Sequence, residues 1–372
     1  MIKGWQTKNF SDVLDIKNGR NQKEVESDSG EYPIYGSAGN VMGYANSYIC
    51  EAGTTIVGRK GNINSPIYAE TRFWNVDTAF GLAAKSGLDS KFLYYYCLSF
   101  DFSALNRGTT IPSLVKSELL GISIPVPPLP EQHRIVAILD AAFDHIATAR
   151  ANCEANLLNA RAIFESHLQA VFTQRGDGWV EKKLEQIGTT QTGTTPKTSD
   201  QTNYGDYISF VKPGDFNTDG SLDYNKDGLS ESGANGARKV SAGSVLMVCI
   251  GATIGKCGYS DRDVTTNQQV NALTPKDGSL SKFIYFQMLT ESFQRKVIHS
   301  SGQATLPIIN KSKWSSLTVW LPPTIKEQSR ITMKFEAIAA ETQRLASLYQ
   351  RKRQALDDLK KSLLHQAFSG AL

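Results

Sequence analysis

Several stretches of the 372-residue chain carry residue types that could do chemistry. Gly251-Ala252-Thr253-Ile254-Gly255-Lys256-Cys257 imitates a phosphate-binding loop. It has three residues between the glycines where that loop has four, and a cysteine where a hydroxyl would hold magnesium. A strand-turn whose backbone can approach a ligand closely fits it better. Asp215-Phe216-Asn217-Thr218-Asp219-Gly220-Ser221-Leu222-Asp223 fits the first nine positions of a calcium loop, and the pattern begins again at Asp223. The twelfth position, which should supply a bidentate Glu, is Lys226 in one frame and Ala234 in the other. The flanks do not read as paired helices, so an acidic Asx-rich turn is the better reading, with adventitious calcium as its alternative. Methyl transfer would need a glycine-rich cofactor loop and an Asp/Asn-Pro-Pro-aromatic motif. The nearest string, Asn64-Ser65-Pro66-Ile67-Tyr68, lacks both the second proline and the loop. The five histidines are scattered, and no Ser/His/Asp or Cys/His arrangement is supported. The five cysteines form no CxxC, which disfavours a disulfide scaffold or a zinc site and fits a reducing cytoplasm. No catalytic residue and no metal site is therefore expected.

The elements that would position any functional residue are written twice. Pro127-Pro128-Leu129-Pro130-Glu131-Gln132-His133-Arg134-Ile135 returns, with one insertion, as Pro322-Pro323-Thr324-Ile325-Lys326-Glu327-Gln328-Ser329-Arg330-Ile331. Ser90-Lys91-Phe92-Leu93-Tyr94 returns as Ser281-Lys282-Phe283-Ile284-Tyr285. Ala52-Gly53 and Gly61 line up with Ala242-Gly243 and Gly251, and each copy opens with Gly-Trp, at Gly4-Trp5 and Gly178-Trp179. Matches in the same order through both halves mark an internal duplication.

Each half has two unlike parts. Residues 1–130 and 177–325 are rich in Gly, Asn, Thr and aromatics, with short β-like runs such as Thr54–Val57 and Val245–Ile250. Residues 131–176 and 326–372 begin with long stretches free of Pro and Gly, and Gly176 and Gly370 sit where helices stop. Their apolar positions step by 4 and 3: Ile331, Phe335, Ile338, Thr342, Leu345, Tyr349, Lys352, Leu356, Leu359 and Leu363. The first copy has Ile135, Leu139, Ala142, Ile146, Ala149, Cys153, Asn156, Ala160, Ile163 and His167 in the same places. This alternation suits two helices packed along their length, paired with each other or, alternatively, in trans. A helix of roughly 44 residues is about 65 Å long. Length, 40% hydrophobic residues and a net charge of +4 fit a multi-domain globular chain. The longest apolar run, Val245–Ile250, is far too short for a membrane span, and the start lacks the apolar core of a secretory signal.

Over nearly its whole length the sequence resembles the specificity subunit of type I restriction–modification systems. The resemblance rests on the two Pro-Pro…Glu-Gln helix starts and on Thr192-Gly193-Thr194-Thr195-Pro196 followed by Tyr207-Ile208-Ser209-Phe210-Val211-Lys212-Pro213-Gly214-Asp215. It rests also on Ile250–Lys256 leading to Thr266-Asn267-Gln268-Gln269. The first half departs from this pattern, with Asn18-Gly19-Arg20-Asn21 in place of the Gly-Thr-Thr-Pro turn and Gly58-Arg59-Lys60-Gly61 in place of the second run. The implied fold is α+β: two pseudo-symmetric target-recognition domains of mixed β-sheet and short helices, separated by two long antiparallel coiled-coil helices. Target-recognition domains at 1–130 and 177–325 and spacer helices at 131–176 and 326–372 are expected.

The resemblance also implies partners. These are double-stranded DNA read at two half-sites, two methyltransferase subunits that modify adenine with S-adenosylmethionine, and a translocating nuclease subunit as a further candidate. The chain itself would bind no cofactor and enter no membrane. Arg and Lys read guanine, Asn and Gln read adenine, and hydroxyls and turn amides take phosphates. Such residues gather at Arg20, Asn21, Gln22 and Lys23; at Arg59, Lys60, Asn62 and Asn64; and at Arg107, Thr109 and Thr110. In the second half they are Thr194, Thr195, Lys197, Lys212, Lys256, Asn267, Gln268, Gln269 and Gln303. Two other classes stand as alternatives: a duplicated, coiled-coil-braced binding or adhesion module, and a self-contained nuclease–methylase, which the missing motifs disfavour.

Overall fold

The computed structural model describes residues 4–37, 39–217, 219–302 and 306–372. It forms two compact units: residues 1–153 with 350–372, and residues 154–349.

In the first unit the strands are β1 (Gln6–Asn9), β2 (Leu14–Asn18), β3 (Tyr32–Tyr35), β4 (Val41–Ala45) and β5 (Thr54–Gly58). They continue with β6 (Ile67–Ala69), β7 (Trp74–Asn75), β8 (Ala79–Ala84) and β9 (Ser123–Val126). In the second unit they are β10 (Val180–Lys183), β11 (Gly188–Thr192), β12 (Tyr204–Val211), β13 (Gly228–Leu229) and β14 (Lys239–Val240). The last five are β15 (Ser244–Val248), β16 (Cys257–Ser260), β17 (Val264–Thr266), β18 (Val270–Pro275) and β19 (Thr318–Leu321). The duplication is visible in how they pair. The antiparallel sheet β2-β8-β5-β6 answers β11-β18-β15-β16, and β4-β3-β7 answers β13-β12-β17, which gains β14 at its edge. The ribbon β1-β9 answers β10-β19. Among the described residues parallel pairing occurs once in each unit, β3 with β7 and β12 with β17, so the sheets are mixed as expected.

Two long helices run Leu129–Gln174 and Ile325–Ser369, 46 and 45 residues. Their starts are fixed by a buried glutamine, which explains the repeated Glu-Gln. The Gln132 amide accepts from Asp89 N (2.7 Å) and donates to the carbonyls of Gly87 (3.0 Å) and Pro127 (2.8 Å). Gln328 accepts from Leu280 N (2.9 Å) and donates to Gly278 O (3.2 Å). Each glutamine thereby ties a long helix to the turn before the aromatic helix of its unit, Ser90–Ser99 or Ser281–Met288. A lysine of that aromatic helix makes a second tie, Lys91 to Asp140 (2.9 Å) and Lys282 to Glu336.

Within each unit the start of one long helix lies antiparallel to the end of the other. In the first unit Arg150 pairs with Asp357 (3.0 Å), and Lys360 lies over the Phe143 ring. In the second unit Phe335 stacks on Phe172 and meets His167 edge-on. Phe368 packs on Phe92 in the first core, and Phe172 packs on Phe283 in the second.

The helical stripe departs from the 4-3 alternation at two equivalent pairs, Asn156 with Lys352 and Ile163 with Leu359, all exposed. Ile163 is 66% exposed and Leu359 47% exposed, although both fall on the expected seam. Beyond Ala160 the packed residues step by four, through Phe164 and Leu168 to Phe172. There the helix presents a face to the core of its unit, while Phe172 and His167 still meet Phe335 of the other long helix.

Candidate nucleic-acid interface

Arg20, Asn21, Arg59, Lys60, Thr194, Thr195 and Gln268 lie on or beside turns that main-chain hydrogen bonds join. In the first unit Gly19 N donates to Ala79 O (3.1 Å) and Arg20 N to Asn75 O (3.0 Å). In the second, Gly193 N donates to Val270 O (3.0 Å) and Thr194 N to Thr266 O (2.8 Å). A Cβ on Gly19 would sit 1.7 Å from the Val76 carbonyl oxygen, and one on Gly193 2.2 Å from that of Thr266. Both turns therefore require glycine. Next, Arg59 N donates to Thr78 O (2.7 Å) and Gly61 N to Pro112 O (2.9 Å), while Leu114 N donates to Arg59 O (2.9 Å). Their counterparts are Cys249 N to Gln269 O (2.7 Å), Gly251 N to Pro307 O (3.0 Å) and Ile309 N to Cys249 O (3.0 Å). The same peptide frame thus holds different side chains: Arg20 against Thr194, Asn21 against Thr195, Arg59 against Cys249, Lys60 against Ile250, and Asp77 against Gln268.

In the first unit this frame brings Arg20 and Asn21, Arg59 and Lys60, and the Arg107–Ser113 loop onto linked turns. Arg20, Asn21, Arg59, Lys60, Asn62, Arg107, Thr109 and Thr110 are exposed. The Arg59 guanidinium donates to Asp77 O (3.2 Å), and Arg107 is paired with Glu118, which holds its guanidinium pKa above the usual value. Gln22 and Lys23 begin the next turn, where Val25 N and Glu26 N both donate to Gln22 O. Asn64 stands apart. Its amide donates to Asp101 (3.0 Å) and accepts from Phe102 N (2.9 Å), so both ends serve the fold.

In the second unit Thr194, Thr195 and Gln268 come together, and the Thr195 hydroxyl donates to the Gln268 amide oxygen. Asn267 is 8% exposed; its amide donates to Gln269 Oε1 (2.9 Å) and accepts from Gln269 N (3.1 Å). That pair is spent locally. Lys197 is exposed on the following turn, whereas Lys212 is half-buried and paired with Asp227 (2.5 Å). Lys256 reaches Phe216 O (3.5 Å). Gln303 lies outside the described residues. Where Arg59 stands in the first unit, burial pushes the Cys249 thiol up to about 12.

Two residues of this surface escape a reading by sequence. Arg238 donates to Thr192 O (2.8 Å), and its own N–H donates to the Thr194 hydroxyl (3.0 Å). Asp77 occupies the position of Gln268. Neither lies in a recurring motif; the pairing of β17 with β12 and β14 brings Arg238 to the turn, and that of β7 with β3 brings Asp77.

The acidic turn resolves in favour of a lysine. Lys226 Nζ lies 3.6 Å from both Asp215 Oδ1 and Asp223 Oδ2 and donates to Gly214 O (2.9 Å), placing an ammonium among the carboxylates. The glycine-rich run is a turn between β15 and β16 and starts no helix. Among the described residues no helix is long and apolar enough to cross a membrane.

The fold defines a tandem of recognition-type modules, each with one peptide frame and its own surface side chains, joined by two long helices. A family model described as the type I restriction modification DNA specificity domain matches residues 2–155 and 176–350, and the chain belongs to that family. It is 33% identical over 149 residues to the type I restriction enzyme HindI specificity subunit of Haemophilus influenzae. That match takes in 39% of this chain and 32% of the relative, about a third of its length. It is 22% identical over 350 residues to the EcoBI specificity subunit of Escherichia coli, covering 85% of this chain and 73% of the relative. The fold matches, with a TM-score of 0.79 and 18% identity, a chain solved for the structural basis of complex assembly and conformational transition of the type I R-M system. That match covers 100% of this chain and 99% of the other.

Proposed function

We propose that this chain is the DNA-reading subunit of a type I restriction–modification complex and carries out no chemistry itself. Each module docks in a major groove and reads one half of a split target. The long helices fix the number of unread base pairs between the halves and carry two methyltransferase subunits. Those subunits methylate adenine with S-adenosylmethionine, and a translocating nuclease subunit joins them for restriction. Half-sites on one face of a duplex lie about 34–36 Å apart, or a multiple of that, and a helix of 46 residues is about 69 Å long.

The observation that carries this reading is the shared peptide frame with exchanged side chains. Hydrogen bonds to base edges come from side chains, while a common frame gives both modules one docking geometry. The test is to replace residues 177–325 with the recognition domain of a relative, express the chimaera with the methyltransferase subunit, and sequence methylated adenines. One half-site should change and the other stay. A change in both would mean that the modules read DNA jointly, and methylation of DNA by the purified chain alone would remove the adaptor role.

A further inference from the structure

Of the Asn267-Gln268-Gln269 run, the structure offers one exposed amide, that of Gln268. Asn267 is buried and bonded twice to Gln269, and Gln269 is half-buried, its main-chain carbonyl accepting from Cys249 N. Gln268 is exposed and touches Thr195, whose hydroxyl donates to Gln268 Oε1. Thr195 is held in turn by its neighbours, since Gly193 N and Thr194 N are both bonded across to β17 and β18. The Thr194 hydroxyl accepts from Arg238 N.

The hydroxyl meets the oxygen end of the amide. An amide oxygen has two lone pairs, and the hydroxyl takes one of them. Gln268 keeps the two hydrogens of Nε2 and the second lone pair of Oε1. A donor beside an acceptor on one rigid plane matches the major-groove edge of adenine, where N7 accepts and the 6-amino group donates. Holding the rotamer in advance lowers the ordering cost that a free glutamine meets on binding.

We propose that Gln268, oriented by Thr195, reads one adenine of the half-site recognised by the second module. The assignment rests on the DNA-reading function proposed above and deepens it. Gln268 is the specificity-determining residue, and Thr195 acts through it as a positioning residue. Asp77, which holds the same place in the first module, has no donor, so that module reads a different base there.

The test uses the full chain with its methyltransferase subunit in a host lacking adenine methylation, with methylated adenines mapped over the chromosome. The wild type should mark one bipartite sequence. Gln268→Ala should relax one A·T position in the second half-site, lowering the preference for A over other bases there by about 5- to 150-fold, the range of a bidentate pair. Gln268→Glu, which keeps the shape and loses both donors, should shift that position toward cytosine, whose 4-amino group donates to a carboxylate. Thr195→Val should relax the same position less. A motif unchanged in the Ala and Glu variants, relaxation at a G·C position, or an equal fall over all sequences would overturn the assignment. The last would make Gln268 a backbone contact. If the wild type marks no bipartite sequence, it is the DNA-reading function that fails.

Discussion

The buried glutamines at the helix starts give the most quantitative prediction. Replacing Gln132 by Ala removes three hydrogen bonds at a fully buried position and leaves the Asp89 N–H and the Gly87 and Pro127 carbonyls without that partner. At about 1 kcal/mol net for each bond the loss is about 3 kcal/mol, and about 2 kcal/mol for the two bonds of Gln328→Ala. For units of this size one kcal/mol moves the melting temperature by about 2–4 °C. The expected falls are about 6–12 °C and about 4–8 °C, read by scanning calorimetry or by circular dichroism at 222 nm. Gln132→Glu sharpens the test. The carboxylate still accepts from Asp89 N, but it faces two carbonyls in a buried site, which raises its folded pKa above the unfolded value. The protonated form can donate, so the stability of this variant relative to wild type should be greatest at low pH and fall as pH rises through the folded pKa. A melting temperature within 1 °C of wild type for both alanine variants, with the fold intact, would show that these bonds do not hold the helix starts. So would a Gln132→Glu variant whose stability does not fall with pH.

Two further predictions bear on the core and the long helices. All five cysteines are buried, and burial pushes the Cys50 and Cys249 thiols up to about 12, so native protein at pH 8 should resist maleimide labelling that goes to completion in denaturant; rapid native labelling would contradict the packing. Inserting four residues near Ala151 adds about 6 Å while nearly keeping the helical face, so the unread spacer should lengthen by one or two base pairs with both half-sites still read. An unchanged spacer with methylation retained would show that the helices are only a scaffold.

What the sequence revealed and what it hid divide along physical lines. Duplication and long helices were legible because Pro-Pro…Glu-Gln and Ser-Lys-Phe recur and because Pro and Gly vanish from two long runs; the mixed sheets came only from the family resemblance. The glutamine was visible as a repeated letter, but its role was not. Its partners, the turns near Gly87 and Gly278, lie more than forty residues upstream. The seam was legible only in part. Ile163 and Leu359 continue the heptad arithmetic, yet both are exposed, because spacing alone does not say where a helix also turns a face to the core of its unit. The amides of the candidate interface were harder still. Asn64 and Asn267 carry the chemistry of base readers, and both are consumed by the fold. Residue type states what a group can bond to, and only the tertiary structure states whether it has already done so.

That distinction explains how two halves of one chain can share a frame and differ in surface. The turns are held by peptide groups, through bonds such as Arg59 N to Thr78 O and Cys249 N to Gln269 O, which any non-proline residue can make. The glycines at 19 and 193 supply the close approach that a side chain would block. Where these positions are exposed, as at 59 and 60 and at 77 and 268, stability of the turn surface is thus largely independent of the side chain, whereas Cys249 is buried in the core. Arg59 can give way to a buried cysteine, and Lys60 to an isoleucine, with the frame intact. A substitution at the exposed places acts on what the module touches before it acts on whether the module folds. A reading surface of this construction can change its target one side chain at a time, whereas a change at Gln132 or Gly19 strikes the scaffold first.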